Sequence, residues 1–455
     1  MPNHFLGLAR IKKELPHSGH WFLPKADSDS SPSPAAKSSL VKASATVPRL
    51  RTNFLWVFTA NVIYAGTQWG LLSTLAKTGS PSIVGEFTFA LAISAPVFML
   101  TNLQLRTVQA TDVRGINSFA DYFTLRLIAT LTGLLAVIGI AFFAEPVSCV
   151  RQVIILVAVS KAIECLSDVI AGLFQREERL KLASVSLTIR GIGSLAVFFA
   201  TYIFFKSITF SLAALSGVWS AVLIFYEVPK AKTLDRNGGD FFRLNAKKLK
   251  QITCVSAPLG CVATMQSLSV NIPRYYLQHY DGAANQGIYA SLSYLVVAIN
   301  LIVAALSQSA TTRLAEMFLR HQYSAFKSLL TKLTMLGVAI GVVGIPACLI
   351  VGREILTLVY RPEYGAHADI LAMLVGVAAL NAIGSFLFCG VTAAQEFRRQ
   401  VPVNVVAVLI TLCGSAALIP RWGLVGAGTT ALLSAAVMAG GGLCVLRRGL
   451  AAEAA

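Results

Sequence analysis

The sequence is poor in charge, and poorest in acid. Only 13% of its 455 residues are Asp, Glu, Lys or Arg, with 21 acids against 38 bases and a formal charge of +17. Soluble domains carry about 25% charged residues, and half that share cannot cover a globule of this length with polar surface. An ordinary soluble protein is excluded. The eight cysteines stand singly, without a CxxC pair, which argues against a disulfide framework and reads them as small buried hydrophobes. The six histidines are too dispersed for a metal site, and no Walker or dinucleotide motif occurs, so no metal, no cofactor and no ATP hydrolysis are expected. The first 50 residues are polar and rich in Ser, Pro, Lys and Ala. They lack the short apolar core of a signal peptide and read as a disordered cytoplasmic tail.

What the chain has is apolar runs: 55% of residues are hydrophobic and the mean hydropathy is +0.68. A helix of about 20 residues crosses the hydrocarbon core of a membrane, and helices are the default spanning element. By that ruler twelve spans are expected, at 54–75, 83–103, 122–144, 149–173, 183–205, 208–228, 252–277, 288–311, 329–351, 368–392, 403–419 and 424–446. Lys and Arg collect in alternate loops, 17 on one side against six on the other, with seven in 229–251 alone. Basic loops stay cytoplasmic, so both termini are inside and the bulk of the +17 is a topology signal rather than a nucleic-acid footprint. The loop 229–251 is suited to anionic lipid headgroups. The outer loops are too short to hold an external catalytic domain.

The two halves share a weak repeat. LAKTGSPSIVGEFTFALAISAPVFMLTNLQ at 75–104 aligns with LQHYDGAANQGIYASLSYLVVAINLIVAAL at 277–306, so that Gly85-Glu86-Phe87 falls on Gly287-Ile288-Tyr289. Parallel six-helix repeats are a transporter architecture with the substrate held between the halves. The expected division is a tail at 1–50, a first lobe at 51–230, a basic cytoplasmic linker at 231–251, a second lobe at 252–448 and a cytoplasmic tail at 449–455.

Five stretches in order, LAKTGSPSIVGEF (75–87), APVFMLTNLQLRTVQATD (95–112), GLFQREERL (172–180), NIPRYYL (271–277) and GREILTLVYRPEY (352–364), make residues 51–448 resemble bacterial polysaccharide and O-antigen flippases. These belong to the multidrug/oligosaccharidyl-lipid/polysaccharide exporter superfamily. The resemblance implies an all-α membrane protein, with about twelve transmembrane helices in two six-helix lobes around a central cavity. It also implies location in the bacterial inner membrane and transfer of undecaprenyl-pyrophosphate-linked oligosaccharide, as in lipopolysaccharide or exopolysaccharide synthesis, from the cytoplasmic to the periplasmic leaflet. Membrane lipids, a polysaccharide polymerase and chain-length proteins are the further partners it suggests, with no nucleic acid.

Such cargo needs a wet, cationic path, because an anion entering hydrocarbon is costly to desolvate. Ionisable residues inside apolar helices are therefore the candidates. In the fourth span Lys161, Glu164 and Asp168 share one face at i, i+3, i+7. They read equally as a phosphate ligand with carboxylates coupled to H+ or Na+, or as a static ion-pair ladder. Arg190 in the fifth span, level with Asp168 by count, reads either as its ion-pair partner or as a phosphate-gripping guanidinium. Arg126 in the third is close enough to the inner surface to snorkel and position substrate. Arg274, toward the outer end of the seventh, follows Pro273, and with Pro258 that helix has two potential bends suited to a gate; Arg274 reads either as a substrate-binding residue there or as an interfacial anchor beside Tyr275, Tyr276 and Tyr280, which fit an aromatic belt. Asn61, Gln68, Gln266, Asn271 and Gln308 either line the path or bond between helices.

Three rivals remain open. A drug or cation antiporter would need an acidic interior, whereas the spans hold Arg126, Lys161, Arg190, Arg274 and Lys332 against Glu164, Asp168 and Glu227. A polymerase or ligase would need a large outer loop. A non-transporting assembly scaffold makes no demand that sequence can test.

Overall fold

Backbone groups in an apolar medium must bond within their own segment, and every apolar run is helical in the computed structural model. The structure describes residues 50–112, 117–144, 147–234, 241–393 and 400–454. The N-terminal tail and the loop bases Arg114, Arg236, Arg398 and Arg399 lie outside them.

The first hairpin pairs α1 (Leu50–Thr78) with α2 (Pro81–Asn102). Ser80 caps α2 by accepting from the Ile83 amide at 3.4 Å, and Pro81 opens its first turn, where no amide is needed. A short helix, α3 (Leu105–Thr111), follows Leu103 and Gln104, which both adopt left-handed backbone. Then come α4 (Phe119–Ala144), α5 (Ser148–Arg176), α6 (Leu180–Phe205) and α7 (Ile208–Val222), which passes through a π turn at Leu223–Glu227 into α8 (Val228–Leu234). The second half holds α9 (Ala246–Tyr280), α10 (Gly282–Leu319), α11 (Tyr323–Val359), the single turn α12 (Pro362–Gly365), α13 (Ala368–Ala393) and α14 (Gln400–Ala454).

The last of these is two crossings joined end to end. Gly423 has φ 52°, and a Cβ there would collide with the Asp281 carboxylate. The arms then pack antiparallel, with Thr411 bonded to Ser434 at 2.9 Å. Twelve crossings result. Among the described residues nine helical segments are long and apolar enough to span a membrane, α14 counting as one. The two that fall short are α1 and α5. The charged stripe of α5 and the Asn61, Tyr64, Thr67 and Gln68 side chains of α1 lower their hydropathy, so these are the helices with a polar face to hide. Large apolar residues such as Phe143, Phe204 and Phe225 stand 80–94% exposed, as lipid-facing positions do.

One sequence expectation changes. Of the eight cysteines only Cys165 and Cys389 are buried, and five lie exposed on helix surfaces, because in a membrane protein the apolar solvent is outside as well as within. Pro258 and Pro273 both lie inside α9, which is one continuous helix from Ala246 to Tyr280.

Thr78, Pro81, Gly282 and Tyr360 lie at one end of the bundle, here the gate end; the last turn of α8 and the first turn of α9 lie at the other, the linker end. At the gate end the halves touch backbone to backbone. A Cβ at Gly85 of α2 would collide with the Ala283 carbonyl of α10, and a Cβ at Gly287 of α10 with the Pro81 carbonyl of α2. The same offset of 202 residues relates 85 to 287 and 81 to 283, so the contact is reciprocal, as a two-fold axis requires. The faint sequence repeat is therefore a repeat of structure. Around it Thr88 bonds Gln286 at 3.0 Å, Trp69 donates to the Tyr360 hydroxyl at 3.2 Å, Tyr360 donates to the Ser291 carbonyl at 3.0 Å, and Arg361 reaches the Lys77 carbonyl at 3.1 Å. Burial pushes the Tyr360 and Tyr364 phenols up to about 12, so both remain neutral near pH 7. The helices α2 and α4 also pack along α9, which carries the junction toward the linker end.

The glycine contact yields a test. Gly85→Val or Gly287→Val cannot be accommodated with the gate end closed, since the obstacle is backbone and not a movable side chain. Spin labels at positions 78 and 363, in a background free of native cysteine, should move apart in either variant, with about 1–3 kcal/mol lost from the closed form. An unchanged distance would show that this contact does not hold the end shut.

Candidate functional site

Helix α6 has two faces. Ile189, Ile192, Phe199 and Ile203 are exposed, whereas Ser184, Ser186, Arg190 and Ser194 are buried. The inward face meets α1, α3, α5 and the π turn around a cavity of about 220 Å³ in the first half of the protein, toward the linker end. Asn61 and Tyr64 line it from α1, Arg106 from α3, Glu164 and Asp168 from α5, Arg190 from α6 and Glu227 from the π turn.

The charges here form three groups. Lys161 donates to Glu164 at 2.7 Å, one turn along α5, and the Tyr64 hydroxyl donates to the other Glu164 oxygen at 3.2 Å. The Lys161 charge also reaches Tyr294 of α10, in the other half. Asp168 takes Arg126 at 3.2 Å on one oxygen and Arg106 at 3.4 Å on the other. The third group is Arg190. It is 7% exposed, its Nε and Nη1 have no hydrogen-bond partner, and its guanidinium lies 5.6 Å from the centre of the Trp219 ring. Among the described residues no carboxylate lies within ion-pair distance of it. The expected Arg190 to Asp168 pair does not form, because two other arginines hold Asp168.

Arg126 departs further from expectation. Instead of snorkelling it is 0% exposed, seven residues into α4, where it binds the Asn102 carbonyl at the end of α2 at 2.9 Å as well as Asp168. A cation at a helix C-terminus and a carboxylate together offset its desolvation. Arg126 thus ties α2, α4 and α5 together behind the cavity and is cut off from any ligand in this state.

The remaining candidates are scattered. Arg274 is half-buried on α9, its Nη1 3.5 Å from the Asn271 oxygen, while Asn271 is anchored to the Ser267 carbonyl at 2.8 Å. Those two lie outside the cavity of Arg190. Gln68 is half-buried, with its amide nitrogen unpartnered. Gln266, Gln308 and Lys332 are exposed, which removes Lys332 from the buried set.

Three cavity residues escaped the sequence reading. Tyr64 shares the i, i+3, i+7 face of Asn61 and Gln68, a pattern that was there to be read. Arg106 was counted as a loop charge, although a base directly after a span can fold back over the helix end. Glu227 was recognised as buried but given no role. It is 3% exposed, accepts from Ser167 at 2.5 Å and from Ser186, and among the described residues has no Lys or Arg at ion-pair distance.

This architecture, a multi-pass helical bundle with a charged cavity inside one half, is a fold shared with solved structures of membrane transporters. They include a MATE transporter in a bent conformation (14% identity over 89% of this chain and 96% of that one, TM-score 0.59), the Vibrio cholerae MATE transporter VcmN (12%, 92% and 98%, TM-score 0.60) and a Pyrococcus furiosus transporter of the MOP superfamily described as having a binding pocket of reversed polarity (14%, 88% and 96%, TM-score 0.60). Residues 50–318 match the polysaccharide biosynthesis protein family, and the chain belongs to that family. The capsular polysaccharide biosynthesis protein CapF of Staphylococcus aureus is 27% identical over 387 residues, 84% of this chain and 95% of the relative.

The Arg126 to Asp168 pair gives a stability test. Removing Asp168 strands a fully buried guanidinium, so Asp168→Ala should lower stability by about 3–5 kcal/mol, while the double change Arg126→Met, Asp168→Leu should lose far less. Thermal unfolding of detergent-purified protein reads the difference. Equal losses would mean that the pair is not what holds the three helices.

Proposed function

We propose that this protein is a flippase that carries lipid-linked oligosaccharide from the cytoplasmic to the outer leaflet by alternately opening its two ends. The observation that carries the proposal is Arg190. A buried guanidinium without a counter-ion costs several kcal/mol, and one cation–π contact returns about 0.5–2 kcal/mol, so the site is incomplete until an anion arrives. A pyrophosphate diester suits a planar fork of donors. The bias of Lys and Arg supports a cytoplasmic linker end, in the inner membrane of a bacterium, and with the gate end closed this state would load from inside.

In the cycle we propose, the headgroup enters the cavity and its phosphates bind Arg190, with Lys161 adding field from the boundary with α10. Asn61, Tyr64 and the serines of α6 offer hydrogen bonds to hydroxyls. The α2–α10 contact then separates while the linker end closes, and Arg274 on α9 meets the phosphates on the way out. Membrane potential favours outward movement of each negative charge by about 2.3 kcal/mol per 100 mV.

Membership of a polysaccharide biosynthesis family and the name of the capsular relative support this cargo class. A drug or cation antiporter fits less well, because Glu164 and Asp168 are neutralised by bases and the Glu227 carboxyl is occupied by two serine hydroxyls. Catalysis by a polymerase or ligase has no obvious seat, since the longest connection described at the gate end is 360–367.

Arg190→Ala should reduce glycan export roughly ten- to a hundredfold at equal expression, the value of a charged hydrogen bond to phosphate, with Arg190→Lys in between. Lipid-linked repeat units should accumulate on the cytoplasmic side. Export at the wild-type rate by Arg190→Ala would overturn the assignment.

A further inference from the structure

Glu227 is a buried acid with no Lys or Arg at ion-pair distance among the described residues. It sits on a π turn, a distortion often found at functional sites, and the turn packs against α5, α7 and α8. Its two oxygens receive only neutral donors, the hydroxyls of Ser167 on α5 and Ser186 on α6. An ionised carboxylate so deeply buried needs a cation, and the surrounding groups are engaged elsewhere. On α5, Lys161 holds Glu164, and Asp168 is taken by Arg126 of α4 and Arg106 of α3. Tyr64 of α1 donates to Glu164. On α8, Lys230 is exposed and Lys232 lies over Phe241, while Tyr226 adjoins Glu227 as a neutral phenol. That leaves Arg190. Ser186, which touches Glu227, is one helical turn from Arg190 on the same face of α6, and both charged residues line one cavity.

We infer that Glu227 is the proton-binding carboxyl of this cavity: it carries a proton while Arg190 holds an anionic ligand, and releases it when the anion leaves and Arg190 turns to its carboxylate. On release the carboxyl O–H bond breaks, its electron pair stays on oxygen, and the proton passes to cavity water. The inference rests on the reading of Arg190 as the anion site. An anion and an ionised Glu227 compete for one guanidinium, so binding the first favours protonating the second. By linkage, acid then strengthens anion binding and anion binding draws in a proton. Outward release of the ligand would accompany deprotonation, so each cycle carries one proton out with the anion and offsets the drive from the membrane potential by one charge.

The test uses the full chain in detergent and UDP-glucose, a soluble pyrophosphate diester whose phosphates do not titrate near neutral pH. Trp219, beneath Arg190, reports binding by fluorescence, with Trp219→Phe as the control for signal from the other tryptophans. Wild-type affinity should rise toward acid, by up to about tenfold per pH unit in the range where Glu227 titrates, and Glu227→Gln should bind at every pH as the wild type does in acid. Calorimetry of the wild type in buffers of different ionisation enthalpy should find up to one proton taken up per ligand, a readout that needs no variant to fold. No histidine lines the cavity to supply that proton instead. A wild-type pH profile retained by Glu227→Gln, or no proton uptake, overturns the inference while leaving the anion site standing. Undiminished binding by Arg190→Ala overturns the anion site itself.

Discussion

Two helices can meet backbone to backbone only where side chains are missing, and the halves of this protein join at such a place. Gly85 faces the Ala283 carbonyl and Gly287 faces the Pro81 carbonyl, each contact the image of the other. The Trp69 to Tyr360 and Thr88 to Gln286 bonds can form only once that approach is made. A close contact of this kind is shallow in energy but sharp in distance, because dispersion falls away within about an ångström of separation. It therefore behaves as a latch with two states rather than as a spring. Apart from the Arg361 to Lys77 carbonyl bond, the hydrogen bonds around it join neutral groups, and none involves a carboxylate or a histidine, so its closure should respond to force from the rest of the bundle more than to pH.

Charge inside the first half obeys a stricter rule. A lone ion in hydrocarbon costs several kcal/mol, and nearly every ion here is matched: Lys161 with Glu164, Asp168 with two arginines. Matching also fixes geometry, since Arg126 can satisfy both Asp168 and the end of α2 only if three helices keep their spacing. Against that background Arg190 and Glu227 stand out as charges that share a cavity without sharing a bond. Their arrangement is one that a bound anion, a proton or a small side-chain movement can complete, and a purely structural pair would have closed it already.

How much of this was legible in the sequence depends on whether a feature is linear or azimuthal. The spans were readable because hydrocarbon imposes a length, and the Lys161 to Glu164 bond because i, i+3 spacing sets a face. The reciprocal glycines lay in the one repeat that could be aligned. What failed was inference from depth alone. Arg190 and Asp168 were placed level by counting rise per residue, but rise does not say toward which neighbour a helix turns, and Arg126 and Arg106 already held the carboxylate. Arg126 was expected to reach water because it is near a helix end; the end of α2 and the α5 carboxylate offered it better partners than the interface did. Arg106 was illegible as a cavity residue because its position depends on the left-handed residues Leu103 and Gln104, which no pattern in the chain announces.

The repeat that makes the two halves alike in backbone does not make them alike in chemistry. The fourth crossing, α5, carries Lys161, Glu164 and Asp168, whereas its counterpart by order in the second half, α13, carries Asp369 in its first turn, has no other charged residue and is mostly buried. One half has an ionic helix at its centre and the other an uncharged one packed by α10, α11 and α14. A small polar solute would be served as well by polar residues on both sides of its path. An amphiphile is different, because its headgroup needs charge and water while its chain needs neither and can remain in the bilayer. Concentrating the ionic chemistry in one half, beside a half whose corresponding helix is uncharged, fits the amphiphilic cargo proposed for this protein.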